Sequence, residues 1–577
     1  IRFVMLRSIY EKWYLRWFLN QIGIIPIARG ASKEALEEVT RALKNGEVVA
    51  LFPEGHISKN GTLSIFRTGF ERAAQNTGAQ IIPFYLHGLW GTRFSYAAEK
   101  YAQSMHAANA HKVTVAFGEA MSCNSNSKEV KQAVQKISMD AWKSHIECMP
   151  TLPAAWLQSA KSLGSKTSVI GHDGSVLSGN KLMAAVWSFR GKLKKRLVEK
   201  NIGLLLPPSS GGVIANLAVL TLGKVMVNLN YTANPDTLVS CAHAANIKTV
   251  LTSKQFVKKL EGKGFDMNAL QKQVAFLYLE DIKQEISKLT LLRNLLISKS
   301  FPRSLLSACF LTKTENTEVA AILFSSGSEG TPKGVELTHQ NIVGNCKQTS
   351  AVLNPNENDS MLCTLPLFHA FGLSITTFMP LIEGLPLVTY PDPTDAKGIG
   401  KIIAQRQVSI LCGTSTFLRI YTQSSRVLPL MFSSVRMVVA GAERLRPEVR
   451  EQFKQKFGLD IYEGYGCTET TPVASVNIPD HLLDDYKTVQ IGNKIGTVGL
   501  PLPGTQFRIV DPETKADLEV GEDGLILISA NLDLASNGQT EPMVIVGPSS
   551  KDKDGNYYAE GTWVDNENIA IVFKLKN

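Results

Sequence analysis

Cysteine is sparse in this chain and never clustered. The eight Cys among 577 residues include no CxxC pair and no Cys/His group. That excludes a disulfide scaffold and a structural zinc ribbon, and it reads as reduced thiols in a cytosolic protein. Acids are also in deficit, with Asp plus Glu at 51 against Lys plus Arg at 61, a formal charge of +10. The excess of cations favours anionic partners without choosing among phosphates, acidic carriers, anionic lipid and nucleic acid. Uninterrupted apolar runs are missing as well. The two uncharged stretches of spanning length, 201–223 and 360–382, are broken by Pro207, Pro208, Gly211 and Gly212 and by Pro366, Gly372 and Pro380. Neither is expected to cross a bilayer, and no signal-peptide core is present at the start. No repeat is evident. What remains is ordinary globular composition, 44% hydrophobic and 19% charged, enough for three or four domains.

The first 30 residues combine Arg2, Arg7, Lys12, Arg16 and Arg29 with Phe3, Tyr10, Trp13, Tyr14, Trp17 and Phe18, against one acid, Glu11. Aromatics interleaved with cations suit a helix lying among lipid headgroups. They equally suit a helix packed on its own domain.

Residues 33–45 predict an amphipathic helix with Ala35, Leu36, Val39, Ala42 and Leu43 on one face, capped by Ser32 and ended by Gly46. A strand from Val48 to Phe52 follows, then strands at 80–86 and 112–117 and a helix through about 147. The fold class is therefore α/β, with a small domain over 1–150 that Pro150 and Pro153 close off. From about 165 the pattern becomes repeated βα units. Strands are expected at 202–206, 225–229, 248–252, 319–324, 409–412 and 435–440, mostly parallel. This second, large domain extends over 151–530, with β-structure near 505–510 and 524–529. Residues 531–577 are weakly patterned.

The small domain carries a candidate site at Phe52-Pro-Glu-Gly-His-Ile-Ser58. Glu54 and Gly55 fall at the end of a predicted strand, where α/β folds place ligands. Gly55 permits close backbone approach, and Ser58 and Lys59 can meet a phosphate. Arg29 in Ile24-Ile-Pro-Ile-Ala-Arg-Gly30, Arg67 in Phe66-Arg-Thr-Gly-Phe70 and Ile81-Ile-Pro-Phe84 complete an ordered set. The set resembles the later motifs of the glycerophospholipid acyltransferases over residues 20–118. The resemblance implies that Arg29, Glu54 and Gly55 hold the phosphoglycerol end of a lysophospholipid. In that family a His four residues before an Asp supplies the general base. Here no His precedes His56 and no Asp precedes Asp140, so the catalytic acyltransferase residues are not identified. The chain is expected to be a piece of a longer polypeptide.

The large domain carries Ser325-Ser-Gly-Ser-Glu-Gly-Thr-Pro-Lys-Gly334 after a predicted strand and before a helix beginning near Thr338. Hydroxyls, glycines and Lys333 suit a polyphosphate. Pro332 before Lys333 and Gly334 after it exclude a Walker loop. The string resembles the signature of the adenylate-forming synthetases, as do four further segments in order. These are Leu365-Pro-Leu-Phe-His-Ala-Phe-Gly-Leu373, Ala440-Gly-Ala-Glu443, Tyr465-Gly-Cys-Thr-Glu469 and Gly496-Thr-Val-Gly-Leu-Pro-Leu-Pro-Gly504. The resemblance implies that ATP is held by Ser325, Ser326, Gly327, Ser328, Gly330, Thr331 and Lys333, by Gly441, Ala442 and Glu443 beside the adenine, and by Tyr465, Gly466 and Thr468. It makes Glu469 the magnesium ligand and Lys333 and Glu469 the catalytic pair for adenylation. His369 lies on the acyl and thiol access route. Alone, His369 would read as a packed histidine and Glu469 as a surface acid; the ordered motifs around them carry the assignment.

The C-terminus departs from that pattern. Glu560-Gly-Thr562 stands where Thr-Gly-Asp would grip the ribose, and the lid domain would lie beyond Asn577. Together the two modules imply a multifunctional enzyme with ATP and Mg2+ as cofactors. It would activate a fatty acid as a thioester of acyl carrier protein or CoA and pass acyl groups to a lysophospholipid. A membrane surface is the expected partner, at the cytoplasmic face of the plasma membrane, and nucleic acid is not. Two other readings stand: a long-chain acyl-CoA ligase with an added domain, and a lipid- and nucleotide-binding remnant without catalysis.

Overall fold

The computed structural model describes residues 1–28, 32–93, 95–98, 112–326, 332–484, 486–519 and 521–530, and beyond these the backbone of five short strands between 543 and 572. The chain divides into two units. The first comprises Ile1–Ala97, His111–Ser144 and Asp480–Ile491, and the remainder forms the second.

In the first unit a parallel sheet places Arg2–Leu6 between Ile25–Ile27 and Val49–Ala50. Helix Lys33–Lys44 lies where its period predicts and buries Ala35, Val39 and Ala42. Ala35 and Val39 pack with Ile25 and Ala73. Ser32 occupies the cap position, but its side chain makes no capping bond. The strand expected over Val48–Phe52 shrinks to Val49–Ala50, because Pro53 lacks a donor and the chain turns. Strands Phe84–His87 and Thr114–Phe117 pair antiparallel. Helix Ser127–Glu147 supplies Val130 and Val134 to a cluster with Phe66 and Phe70.

Two large sheets and an antiparallel one build the second unit. One sheet runs Ala275–Tyr278, Thr249–Thr252, Asn201–Leu205, Val225–Asn228, Val319–Ser326 and Pro332–Thr338. All of its neighbours are parallel except the last pair. The other sheet has a parallel centre ordered Ile461–Gly466, Met437–Ala440, Ile410–Gly413, Met361–Cys363, Leu387–Thr389 and Thr167–Ile170, with antiparallel strands at both margins. Near-continuous apolar strands such as Met437–Ala440, buried throughout, are what a sheet covered on both faces requires. The third sheet is antiparallel and starts from Thr505–Val510 and Leu525–Ala530. Stretch 201–223 folds as strand, turn and helix, and 360–382 as strand and π-helix. Among the described residues no helix is long and apolar enough to cross a membrane.

The strand Pro332–Thr338 has no counterpart in the sequence reading. It is antiparallel to Val319–Ser326, with Ser325 opposite Lys333. Helix His339–Leu353 then starts on Thr338, whose hydroxyl accepts from Asn341 N while Asn341 Oδ1 accepts from Thr338 N. This reciprocal pair fixes the helix start.

Candidate active site

In the first unit the turn after Val49–Ala50 gathers three of the expected groups. Gly55 has φ +72°, a region that favours glycine, and its N–H donates to Phe52 O at 3.1 Å. A Cβ there would lie 3.0 Å from Arg67 Nε, so the guanidinium covers the glycine closely. Arg67 N in turn donates to Pro53 O at 2.9 Å. The Glu54 carboxylate accepts from Ser64 N at 2.7 Å. Burial raises the Glu54 carboxyl above its ordinary range, against the Ser64 bond and the charges of His56 and Lys131. Lys131, on helix Ser127–Glu147, is lowered by burial and held up by Glu54. It is a cation near Glu54 that the sequence reading missed, because 77 residues of unrelated pattern separate the two.

Ser58 and Lys59 are engaged differently. Ser58 Oγ donates to Thr62 O at 2.9 Å and accepts from Gln490 Nε2 at 3.2 Å. Lys59 Nζ lies 2.6 Å from Asp484 and 3.3 Å from the centroid of the Tyr96 ring. Tyr96 donates to the other Asp484 oxygen at 2.7 Å. The hairpin His481–Leu482 with Val489–Gln490 therefore folds with the small unit, although in sequence it lies between the last two synthetase motifs. The cluster left at this turn is thus the half-buried Glu54 with the exposed Gly55 and Arg67. Arg29 lies outside the described residues.

In the second unit three of the separated motifs fall at the C-terminal ends of strands of one sheet. Strands Met361–Cys363, Met437–Ala440 and Ile461–Gly466 are parallel members of one sheet, and each is followed by, or ends in, one expected segment. Crevices at the C-terminal ends of parallel strands are where α/β folds bind ligands. Gly441 N donates to Gly413 O at 3.1 Å, and a Cβ on Gly441 would come 3.2 Å from the Phe371 ring. Ala442 follows with φ +67°, a left-handed conformation costly for a residue with a Cβ. Glu443 accepts from the backbone N and the hydroxyl of Thr416, tying it to the start of helix Ser415–Gln423. Tyr465 stands 6.4 Å from Phe507, ring to ring. Gly466 is pressed against Pro472, where any Cβ would collide with the carbonyl.

Thr468 and Glu469 form a short 3-10 turn, held by Cys467 N donating to Thr470 Oγ1 at 3.0 Å. Burial, then the charge of Glu469, pushes the Cys467 thiol far above its ordinary value, so it stays protonated. Strand Pro332–Thr338 packs beside this turn, which brings the Lys333 strand to the Glu469 segment. Asn345, on the following helix, locks the arrangement. Its Nδ2 donates to Val473 O at 2.7 Å and its Oδ1 accepts from Val473 N at 3.2 Å. Sequence reasoning missed Asn345, since a buried Asn inside a helix carries no motif. His369 stands just before the helix Phe371–Phe378, its ring 4.7 Å from Phe368. Phe368 in turn meets Tyr231 edge-on at 4.8 Å. The backbone of Ser326 is described, whereas Gly327, Ser328, Gly330 and Thr331 lie outside the described residues.

Thr468 and Glu469 offer one hydroxyl and one carboxylate, a donor set compatible in kind with magnesium beside a triphosphate. Magnesium is ordinarily held by one or two carboxylates together with phosphate oxygens.

Comparison with known proteins bears on the family and the fold. A sequence profile described as AMP-binding enzyme matches residues 156–532, and one described as acyltransferase matches 1–87. A long-chain-fatty-acid–CoA ligase of Escherichia coli O6:H1 is 23% identical over 69% of this chain and 71% of its own. A 4-coumarate:CoA ligase of Petunia hybrida is 27% identical over 57% of this chain and 58% of its own. Among solved structures, ATP-bound MatB from Rhodopseudomonas palustris is similar at TM-score 0.54 and 20% identity, covering 73% of this chain and 78% of that one. A benzoate CoA ligase from Burkholderia xenovorans LB400 is similar at TM-score 0.56 and 20% identity, covering 72% and 80%. The chain belongs to the AMP-binding enzyme family and carries an acyltransferase domain at its N-terminal end.

Proposed function

We propose that this protein activates a fatty acid with ATP, converts it to a thioester, and serves acyl transfer to a lysophospholipid. The reading resembles the bacterial two-function 2-acylglycerophosphoethanolamine acyltransferase/acyl-carrier-protein synthetase. One observation carries it: segments about 100 residues apart, 365–373 and 465–469, follow or end parallel strands of one sheet, in a chain that also holds Glu54, Gly55 and Arg67 together.

The chemistry follows from charge. A carboxylate attacks the α-phosphate of ATP, forming an acyl-phosphate bond and releasing pyrophosphate. A thiol then attacks the acyl carbon and AMP leaves. Both partners in the first step are anionic, so cationic donors must offset the developing charge. Lys333 supplies one. Magnesium, when bound, neutralises phosphate oxygens, and Glu469 with Thr468 would hold it. Gly441 and Ala442 line the adenine side, and Phe368 and His369 flank the acyl route. In the small unit Arg67 lies across Gly55, where it can meet an acceptor phosphate bidentately.

A peripheral attachment suits such substrates. Helix Trp13–Gln21 buries only Leu19 and leaves Trp13 86% and Trp17 74% exposed, with Arg7, Lys12 and Arg16 also exposed. Aromatic and basic side chains together favour an anionic lipid surface at the cytoplasmic face.

The test is isotope exchange between pyrophosphate and ATP in the presence of palmitate or 4-coumarate, followed by acyl capture on acyl carrier protein or CoA. Exchange driven by palmitate supports the reading. Exchange driven only by the aromatic acid contradicts it. Capture on CoA alone would favour the ligase with an added domain.

A further inference from the structure

The helix Lys288–Ser300 on the second unit is inside out. Its fully buried positions are polar, Asn294 and Ser298, whereas Leu289, Leu292 and Leu296 are 75%, 53% and 55% exposed. Spacings of three and four residues put those leucines on one face, opposite Asn294 and Ser298. The inner face packs on helix Gly179–Leu193 and is tied down by polar bonds. Asn294 Nδ2 donates to Ser188 Oγ at 2.9 Å, and Lys161 Nζ donates to Ser298 O at 2.9 Å. The next helix, Arg303–Phe310, buries Leu306 and again exposes Leu305.

A helix that spends its apolar residues on solvent needs a reason. Packing supplies none, because the positions turned inward are the polar ones, and the Ser298 hydroxyl finds no hydrogen-bond partner there. Contiguous exposed apolar surface ringed by charge marks an interaction site. The charge here has one sign. From 286 to 314 the sequence holds Lys288, Arg293, Lys299, Arg303 and Lys313 and no acid. Arg293 and Lys299 flank the leucine face on the helix wheel, and Lys288, Arg293, Lys299 and Arg303 are exposed. A folded protein partner would offer a mixture of charges. An anionic lipid surface offers acyl boundary for the leucines and uniform negative charge for the cations.

We propose that the leucine face of Lys288–Ser300, continued by Leu305, is a docking surface for anionic lipid on the synthetase unit. It is separate from the aromatic segment of the small unit. The proposal rests on the lipid-metabolism reading only in its choice of partner, and its geometry stands without it. Docked this way, the unit that activates an amphiphilic acid would lie at the surface from which that acid is drawn.

Leu289, Leu292 and Leu296 are exposed and lie outside every motif segment of the adenylating site, so their replacement by Ser is expected to leave folding and basal activity unchanged. The experiment is co-sedimentation of the full chain with vesicles of 30% phosphatidylglycerol in phosphatidylcholine, and with phosphatidylcholine alone. Parent protein, L289S/L292S/L296S and K288E/R293E/K299E are compared, alongside pyrophosphate exchange with a short soluble acid and sedimentation velocity without vesicles. The expected result is at least tenfold weaker partitioning of both variants onto anionic vesicles with exchange unaltered. Equal partitioning of the parent and both variants overturns the proposal. A parent that dimerises through this face, with a monomeric serine variant that still binds vesicles, overturns it in favour of self-association. Loss of exchange in the parent itself would instead count against the enzymatic reading and leave the docking result to stand on its own.

Discussion

Lys59 and Asp484 stand 425 positions apart in sequence, yet their side chains pair at 2.6 Å in one folded unit. The pair caps a small polar network. Asn60 Oδ1 accepts from Thr62 N at 3.1 Å and from Gln490 Nε2 at 2.5 Å, and Gln490 Oε1 accepts from Lys59 N at 2.8 Å. Asn60 and Gln490 are both buried. The loop that carries Glu54 and Gly55 is therefore braced by a hairpin from late in the chain.

The network and the ion pair should differ in weight. Asp484 is half exposed, and an exposed pair contributes about 0–1 kcal/mol. Replacing Gln490 by Leu strands buried polar groups, at about 1–3 kcal/mol. Hydrogen exchange at residues 58–62 is expected to accelerate strongly in Gln490→Leu and barely in Asp484→Asn. Equal acceleration in both would show that the salt bridge, not the buried amide, holds the loop.

His339 begins the helix after the synthetase signature and is 3% exposed. Burial lowers its imidazole to about 4, against the opposing charge of Glu318. Unfolded, the ring titrates near 6.5. Between pH 6.5 and 4 the unfolded chain therefore binds the extra proton, and stability falls as pH falls through that window. The contribution is complete above pH 6.5. His339→Gln should flatten that part of the stability–pH profile, measured by urea unfolding at pH 7, 5.5 and 4.5. A profile unchanged by the substitution removes His339 as its source.

Glu54 gives the opposite sign. Its carboxyl is raised by burial, so the folded state disfavours its ionised form and stability drops as pH rises through the elevated value. Glu54→Gln keeps an acceptor for Ser64 N and should stabilise the small unit at pH 7 relative to pH 4. The same change should weaken binding of a lysophospholipid if the carboxylate contacts the acceptor. Lower stability at pH 7 would contradict the burial argument.

Asn345 is a positioning residue in this arrangement. Asn345→Ala removes both bonds to Val473, each worth about 0.5–1.5 kcal/mol. Loosening the chain after Thr468 and Glu469 should weaken ATP–magnesium binding by about tenfold while leaving binding of fatty acid alone intact. Equal loss of both ligands in calorimetry would indicate general damage instead.

The aromatic segment at the start makes its own prediction. Replacing Arg7, Lys12 and Arg16 by Glu reverses charges worth about 1 kcal/mol each at an anionic surface, and salt screens them over about 8–10 Å. Vesicle association should weaken, and high salt should release part of the parent. No change in the variant would leave the leucine face as the attachment site.

The parts legible in the sequence were those with local causes. Helix Lys33–Lys44 shows its 3.6-residue period, and helix His339–Leu353 announces itself through Thr338. The βα strands stand out as apolar runs of four or five residues. What escaped depends on distant chain. Strand Pro332–Thr338 contains a proline and alternates weakly, so only pairing with Val319–Ser326 makes it a strand. Hairpin 480–491 is fixed by Lys59 and Asn60, hundreds of residues earlier. Lys288–Ser300 reads as an ordinary leucine-rich helix until the structure shows Asn294 and Ser298 turned inward. At the site itself, motif residues were legible, while Asn345 and Lys131 act through position alone.

The most direct measurement is calorimetric titration of ATP with magnesium into the intact chain and into Lys333→Ala and Glu469→Ala. Binding by the parent, weakened at least tenfold in each variant and reduced for Glu469→Ala chiefly when magnesium is present, is the predicted result. Affinity unchanged in both variants would contradict the assignment of ATP to the strand ends of the large unit.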